Sequence, residues 1–176
     1  ANLGHDVTYS GTVTAAMEAV IAGVPGVAVS LEVPEGHVGP IDFQPAANAA
    51  CIAVQNVIAH GLPADTLLNV NVPFLKAEDI QGFRITRQGL RVYHSRLDER
   101  TDPRGRPYYW IGGDAPTGVS ESGTDVGALD AGFISVTPLQ LDLTAYRAIS
   151  DLSTWNWHSQ PFELSLLISS VGAAEK

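Results

Sequence analysis

Apolar residues recur with helical spacing at Val13, Ala16, Met17, Val20 and Ile21, which predicts a helix with one face buried. Ser10 or Thr12 is its natural N-cap, because a hydroxyl there accepts from an otherwise unpaired amide. Gly23 closes this helix and Pro25 blocks its continuation. The nearly continuous apolar run Gly26-Val27-Ala28-Val29-Ser30-Leu31 then predicts a strand buried on both faces, the kind parallel sheets use. After a polar loop over 32–40, Ala46, Ala49, Ala50, Ala53, Val54, Val57 and Ile58 predict a second amphipathic helix ending at His60-Gly61. Leu67-Leu68-Asn69-Val70-Asn71-Val72, just before Pro73, reads as another strand. Helix, strand, helix, strand implies right-handed crossovers onto a parallel sheet, and the pattern asks for a strand ahead of the first helix.

Beyond Pro73 the period changes to two. Phe83-Arg84-Ile85-Thr86-Arg87 and Leu90-Arg91-Val92-Tyr93-His94-Ser95-Arg96 alternate on either side of Gln88-Gly89, as antiparallel strands with one wet face do. A turn rich in Pro, Gly and Arg spans 100–107 and leads into the aromatic strand Tyr108-Tyr109-Trp110-Ile111. A helix over 124–130, a strand over 133–139 and a short helix over 144–149 follow. The tail from Asp151 holds Trp155-Asn156-Trp157 and an apolar stretch over 164–168, and its pattern assigns no element.

With 176 residues, 45% apolar and 16% charged, the chain has the composition of one globular domain, or of a domain with an appendage. The single cysteine, Cys51, excludes an intrachain disulfide and a Cys-based zinc site, and fits a reducing compartment. No apolar run approaches the roughly 18 residues of a membrane span, and no basic segment precedes a short apolar one. A net charge of -9 argues against non-specific nucleic-acid binding, which needs many phosphate-neutralising cations. The charge is segregated, however. Arg84, Arg87, Arg91, Arg96, Arg100, Arg104 and Arg106 are seven of the ten Lys and Arg residues. Interleaved with Tyr93, Tyr108, Tyr109 and Trp110, they read either as a base-stacking surface or as a hairpin that buries them against another subunit. The acidic balance and the Pro- and Gly-rich turn favour the second reading.

Candidate chemistry gathers in Asn2-Leu3-Gly4-His5-Asp6-Val7-Thr8-Tyr9-Ser10-Gly11-Thr12, which feeds the first helix. Unpaired amides and the helix dipole favour an anion there, by roughly 0.3–1 kcal/mol when exposed. Gly4 and Gly11 permit close approach of the backbone, Ser10 and Thr12 offer hydroxyls, and Asn2 an amide. The plainer alternative is that the hydroxyls cap the helix and the glycines turn the chain. Ser10 does not match the esterase nucleophile elbow, since Thr8 and Thr12 stand where that motif has glycine. His5, His37, His60, His94 and His158 are scattered, and His60 falls at a helix end where an imidazole suits the dipole. Acidic pairs such as Glu78-Asp79 and Asp98-Glu99 read as solvated faces. No grouping of Asp, Glu and His has metal-ligand spacing, so any metal would be held mostly from outside these residues.

Several motifs converge on one family. Asn2-Leu3-Gly4, Tyr9-Ser10-Gly11-Thr12-Val13, Gly23-Val24-Pro25, Leu68-Asn69-Val70-Asn71-Val72-Pro73, Asp102-Pro103-Arg104-Gly105-Arg106-Pro107, Gly123-Thr124-Asp125 and the run from Gly132 to Leu139 stand in order. In this combination the chain resembles the C-terminal two-thirds of the survival protein E (SurE) family, stationary-phase 5′-nucleotidases, from residue 1 to about 150. The resemblance implies an α/β fold with a Rossmann-like parallel sheet, here incomplete for want of N-terminal strands, an extended β-hairpin arm and a C-terminal oligomerisation element. It divides the chain into a domain over 1–150, with the arm at 82–111, and a tail over 151–176.

The activity so implied is metal-dependent hydrolysis of nucleoside 5′-monophosphates, with magnesium or manganese as the ion. The family holds its metal with an Asp-Asp pair, a Ser and an Asn that would precede Ala1, so the chain looks truncated and, alone, inactive. A non-catalytic assembly fragment is the alternative. Asn2, Ser10, Gly11 and Thr12 match the family's phosphate-contacting motif, with Ser10 and Thr12 as its catalytic hydroxyls. His5 and Ala19 stand where the family often has Asp and Gly. The implied partners are a nucleoside monophosphate and further copies of the chain, as a homodimer or homotetramer by hairpin exchange, with no nucleic acid and no membrane. The implied location is cytoplasmic.

Overall fold

The structure, a computed structural model, describes residues 1–157. The described residues divide into two units, one over Ala1–Asp142 and one that begins at Leu143. In the first unit a 3-10 helix over Gly4–Tyr9 leads into α1, Gly11–Ile21. β1 (Gly26–Leu31) and α2 (Gln44–His60) follow, α2 starting with Pro45 in its first turn and stopping at Gly61. Proline suits that first turn because its missing amide would have no partner there. β2 (Thr66–Val72) and β3 (Phe83–Ile85) come next, then the long strands β4 (Arg91–Thr101) and β5 (Pro107–Gly118). α3 (Asp125–Asp130), capped by the Thr124 hydroxyl, and β6 (Ile134–Gln140) complete the unit.

Four strands form the main sheet in the order β1-β2-β6-β3. β1 runs parallel to β2, as the helix-strand alternation predicts, with Ser30 beside Asn71. β6 is antiparallel to β2 and parallel to β3, which makes the sheet mixed. α1 packs on one face, where Val7, Val13, Ala16, Ala28, Leu67 and Leu139 form a core. α2 packs on the other, with Ala49, Ala53, Val70, Val72, Ile134 and Val136. Strand side chains alternate between faces, so β2 continues the α1 face beyond Leu67 with Asn69 and Asn71, both fully buried. A buried polar strip therefore lies beneath the loop that precedes α1.

One pairing differs from the sequence expectation. Alternation suggested that the segments 83–87 and 90–96 pair with each other and that the arm spans 82–111. Instead β3 sits at the edge of the main sheet, and the arm is the separate two-stranded sheet β4–β5, residues 91–118. The Thr86 amide donates to the Val136 carbonyl at 3.0 Å, and the Thr86 hydroxyl bonds those of Ser135 and Thr137 at 2.8 and 2.7 Å. These bonds tie the segment to β6, and a period of two cannot itself name the partner strand. At the arm's tip, the Asp102 carboxylate accepts from the amides of Arg104 and Arg106, both at 2.8 Å.

In the second unit α4 spans Tyr146–Ser153. Trp155 and Trp157 stack with ring centroids 5.6 Å apart, and the Trp157 indole donates to the Leu152 carbonyl at 2.7 Å. The apolar stretch over 164–168 and His158 lie outside the described residues.

Candidate functional site

The polypeptide reaches the carboxyl ends of β1 and β2 at Asn2. Ligands of open α/β sheets bind at that edge. The Asn2 amide donates to Asn71 Oδ1 at 2.7 Å, and the Asn2 carbonyl accepts from Asn69 Nδ2 at 2.8 Å and Asn71 Nδ2 at 3.1 Å. Asn2 Nδ2 donates to Ser30 Oγ at 2.7 Å. The two buried asparagines thus treat Asn2 as a neighbouring strand would, satisfying both of its backbone groups. Asn2 is half-buried and its side chain is anchored to β1.

From there the 3-10 turn carries the chain to Ser10. Ser10 Oγ accepts from the Val13 amide at 3.1 Å, which caps α1 and leaves the hydroxyl proton available to a ligand. Gly11 and Thr12 are exposed, and an added Cβ on Gly11 would meet no atom within 4 Å. The first turn of α1 therefore presents open amides, one hydroxyl on Ser10 and one on Thr12, on an accessible surface. Asn2 and the Ser10, Gly11, Thr12 group are joined through the turn, with Asn2 at the sheet edge and the other three at the helix end. His5 is exposed.

What holds the turn in place was not legible as site chemistry in the sequence. Asp6 pairs with Arg91 Nε at 3.0 Å and accepts from the Tyr93 hydroxyl. That hydrogen bond holds the Tyr93 phenol protonated above its ordinary range. The Asp125 carboxylate, wholly buried, accepts from the amides of Gly4 and Gly89, each at 2.7 Å. Gly123-Thr124-Asp125 stood out as a motif, but nothing in its local pattern identifies a partner so far away in sequence.

Beside the sheet edge lies a cleft of about 710 Å³ whose wall includes Leu3, Glu32, Pro73, Phe74, Arg91 and Asp130. Ser10, Gly11 and Thr12 are not in its wall. Burial pushes the Glu32 carboxyl above its ordinary value, the Ala1 amine opposes that, and Asp130 adds to it. Among the described residues no group of three or more His, Cys, Asp or Glu side chains is placed to hold a metal ion. The side chains described here thus do not form a site for the divalent ion that the family resemblance implies. Nor is any described helix long and apolar enough to cross a membrane.

The family model described as Survival protein SurE matches residues 1–95. The chain belongs to the SurE family. A 5′-nucleotidase SurE of Syntrophotalea carbinolica is 52% identical over 156 residues, 89% of this chain and 60% of that protein. The 5′-nucleotidase SurE of Chloroflexus aggregans is 47% identical over 157 residues, 89% of this chain and 61% of its own length. A crystal structure of the SurE protein from Aquifex aeolicus superposes with a TM-score of 0.72 at 43% identity, covering 87% of this chain and 60% of that one. The chain thus spans about three fifths of the length of these relatives. Its Rossmann-like α/β architecture is the one that this SurE structure shares.

Proposed function

We propose that this chain supplies the phosphate-holding part of a phosphomonoesterase for nucleoside 5′-monophosphates. One observation carries the reading. In a family whose relatives are named 5′-nucleotidases, the loop from Asn2 ends in a capped helix N-terminus with exposed Gly11 and Thr12. Phosphoryl transfer asks a protein mainly for positioning and for stabilisation of charge on the equatorial oxygens. The amides of the first turn of α1 and the Ser10 and Thr12 hydroxyls are donors of that kind, and the helix dipole favours the anion they would hold. Asn2 fixes the start of the loop against β1 and β2.

The divalent ion of this reading, magnesium or manganese, is assigned to ligands outside the chain, because the described residues form no set that fits it. No step at that ion is drawn from the residues here. The same observation favours a second reading, in which these residues alone form a non-catalytic piece that keeps the phosphate loop and the arm. We assign the working enzyme to the cytoplasm, as a homodimer or homotetramer formed by exchange of the arm.

Assay of two polypeptides against a panel of nucleoside monophosphates tests both readings. The product of the complete reading frame is expected to release phosphate and to stop on chelation by EDTA, whereas the 176-residue chain is expected to be inactive. A complete product without such activity would overturn the first reading. EDTA-sensitive turnover by the short chain would overturn the assignment of the metal ligands.

A further inference from the structure

The geometry points to Asp125 as a positioning residue, whose buried carboxylate fixes the turn that delivers Ser10, Gly11 and Thr12 to the root of the arm. The inference rests on the phosphate-site reading above. A fully buried carboxylate is costly unless several donors satisfy it. Asp125 has three, all backbone amides: Gly4 on Oδ2 at 2.7 Å, with Gly89 at 2.7 Å and its own neighbour Val126 at 2.8 Å on Oδ1. Capping α3 does not account for this arrangement. Thr124 already caps that helix, its hydroxyl accepting from the Gly127 amide at 3.0 Å.

Gly4 and Gly89 are shaped for the contact. Gly4 has φ +52°, and a Cβ there would lie 2.5 Å from the Gly89 carbonyl oxygen. A Cβ on Gly89 would lie 2.9 Å from Asp125 Oδ1. The Gly4 carbonyl is held as well, by Gln88 Nε2 at 3.0 Å. The Gly4 carbonyl is therefore fastened to the segment just before β4 and the Gly4 amide to Asp125, which also holds Gly89 of that segment. Ser10 follows at the end of the same 3-10 turn. Donors set in place before the substrate arrives need no reorganisation as charge develops, and that is where preorganised amides contribute most to rate. Loosening the Gly4 end should therefore act on turnover more than on substrate affinity.

Asp125→Asn in the product of the complete reading frame tests this selectively. The new carbonyl can still serve Gly89 and Val126, but its NH2 then meets the Gly4 amide, donor against donor. Gly4→Ala disturbs the same contact from the other side and serves if Asp125→Asn does not fold. Each variant is expected to lower kcat for a nucleoside monophosphate by about tenfold or more, with KM within about threefold of wild type. Amide exchange over residues 4–10 should speed up in both, and the double variant should be no slower than the worse single one. A merely structural role would lower the folded fraction and leave kcat per folded molecule unchanged, which overturns the proposal. Exchange over 4–10 that stays as slow as in wild type overturns it too. A wild type that hydrolyses no nucleoside monophosphate would instead defeat the phosphate-site reading, and the exchange comparison tells the two failures apart.

Discussion

Asn71 grips Asn2 on both sides of its backbone, its Oδ1 taking the Asn2 amide at 2.7 Å and its Nδ2 reaching the Asn2 carbonyl at 3.1 Å. A side-chain amide thereby does the work of a strand's peptide group, at the edge where β1 and β2 end. In Asn71→Ala the carbonyl keeps Asn69 Nδ2, whereas the Asn2 amide loses its acceptor. Leaving one such donor unsatisfied costs about 1–3 kcal/mol, so urea unfolding should show a loss in that range. A change under about 0.5 kcal/mol, the usual effect of a surface substitution, would mean that water replaces Asn71 without penalty.

Ser10 has two separable duties, and two substitutions divide them. Ser10→Ala removes both the cap and the hydroxyl, and should cost about 1 kcal/mol of stability. Ser10→Gly keeps most of the capping preference, at a cost of a few tenths of a kcal/mol, yet still removes the hydroxyl. If the hydroxyl donates to a phosphoryl oxygen as charge builds, both variants of the complete protein should lose about 10²–10³ in kcat. A Ser10→Gly enzyme with wild-type turnover would reduce Ser10 to a helix cap.

Thr12 gives a cleaner comparison because it is exposed. Thr12→Ala should leave the thermal midpoint unchanged while weakening inorganic phosphate binding and lowering turnover. Binding and turnover both at wild-type level would remove Thr12 from the site.

These residues also mark what a sequence discloses. α1 and α2 were legible from their helical period and β1, β2 and β6 from short apolar runs bounded by turn residues, and Ser10 was legible as a cap because capping is local. The partner of β3 was not, since Phe83, Arg84 and Ile85 would alternate in the same way beside any strand, and the β6 hydroxyls that bond Thr86, those of Ser135 and Thr137, lie 49 and 51 positions away. Asp6 and Asp125 escaped for a related reason. Their partners lie 85 and 121 positions away, and a carboxylate in the first turn of a short helix gives no local sign of the amide or guanidinium it will meet. The chemistry at the helix end was readable; the scaffold that steadies it depends on distant contacts.

The Tyr93 hydroxyl on Asp6 gives the arm's root a pH dependence. Its folded-state pKa is raised above the ordinary 10.0, chiefly by that hydrogen bond. A raised value means that the contribution is fully present below the ordinary value and is lost as pH rises through the folded one. An ultraviolet titration, taken as wild type minus Tyr93→Phe, should show one phenol ionising later than an exposed tyrosine does. Near-neutral stability should be insensitive to pH through this group. A difference titration centred at or below the ordinary value would show that the bond to Asp6 does not persist in solution.

The arm itself should be an exchange element between copies of the chain. Tyr93, Leu97, Tyr108, Tyr109 and Trp110 on β4 and β5 are each 41% or more exposed, and the two strands pair only with one another among the described residues. Isolated two-stranded hairpins are marginal in water, and exposed aromatic surface next to open strand edges invites aggregation. A second copy covering the aromatics removes both problems, and closed symmetric assemblies are the commonest way to achieve it. Arg100, whose guanidinium lies 5.6 Å from the centre of the Trp110 ring, would then be buried in the contact rather than held out to a phosphate backbone. Replacing residues 98–106 of the complete protein by a short turn should therefore shift its sedimentation toward monomer, with the α/β core still folded by circular dichroism. An oligomer unchanged by that deletion would release the arm from assembly. The arginine-aromatic surface would then be tested as a nucleic-acid site, whose mark is oligonucleotide binding that weakens steeply with salt.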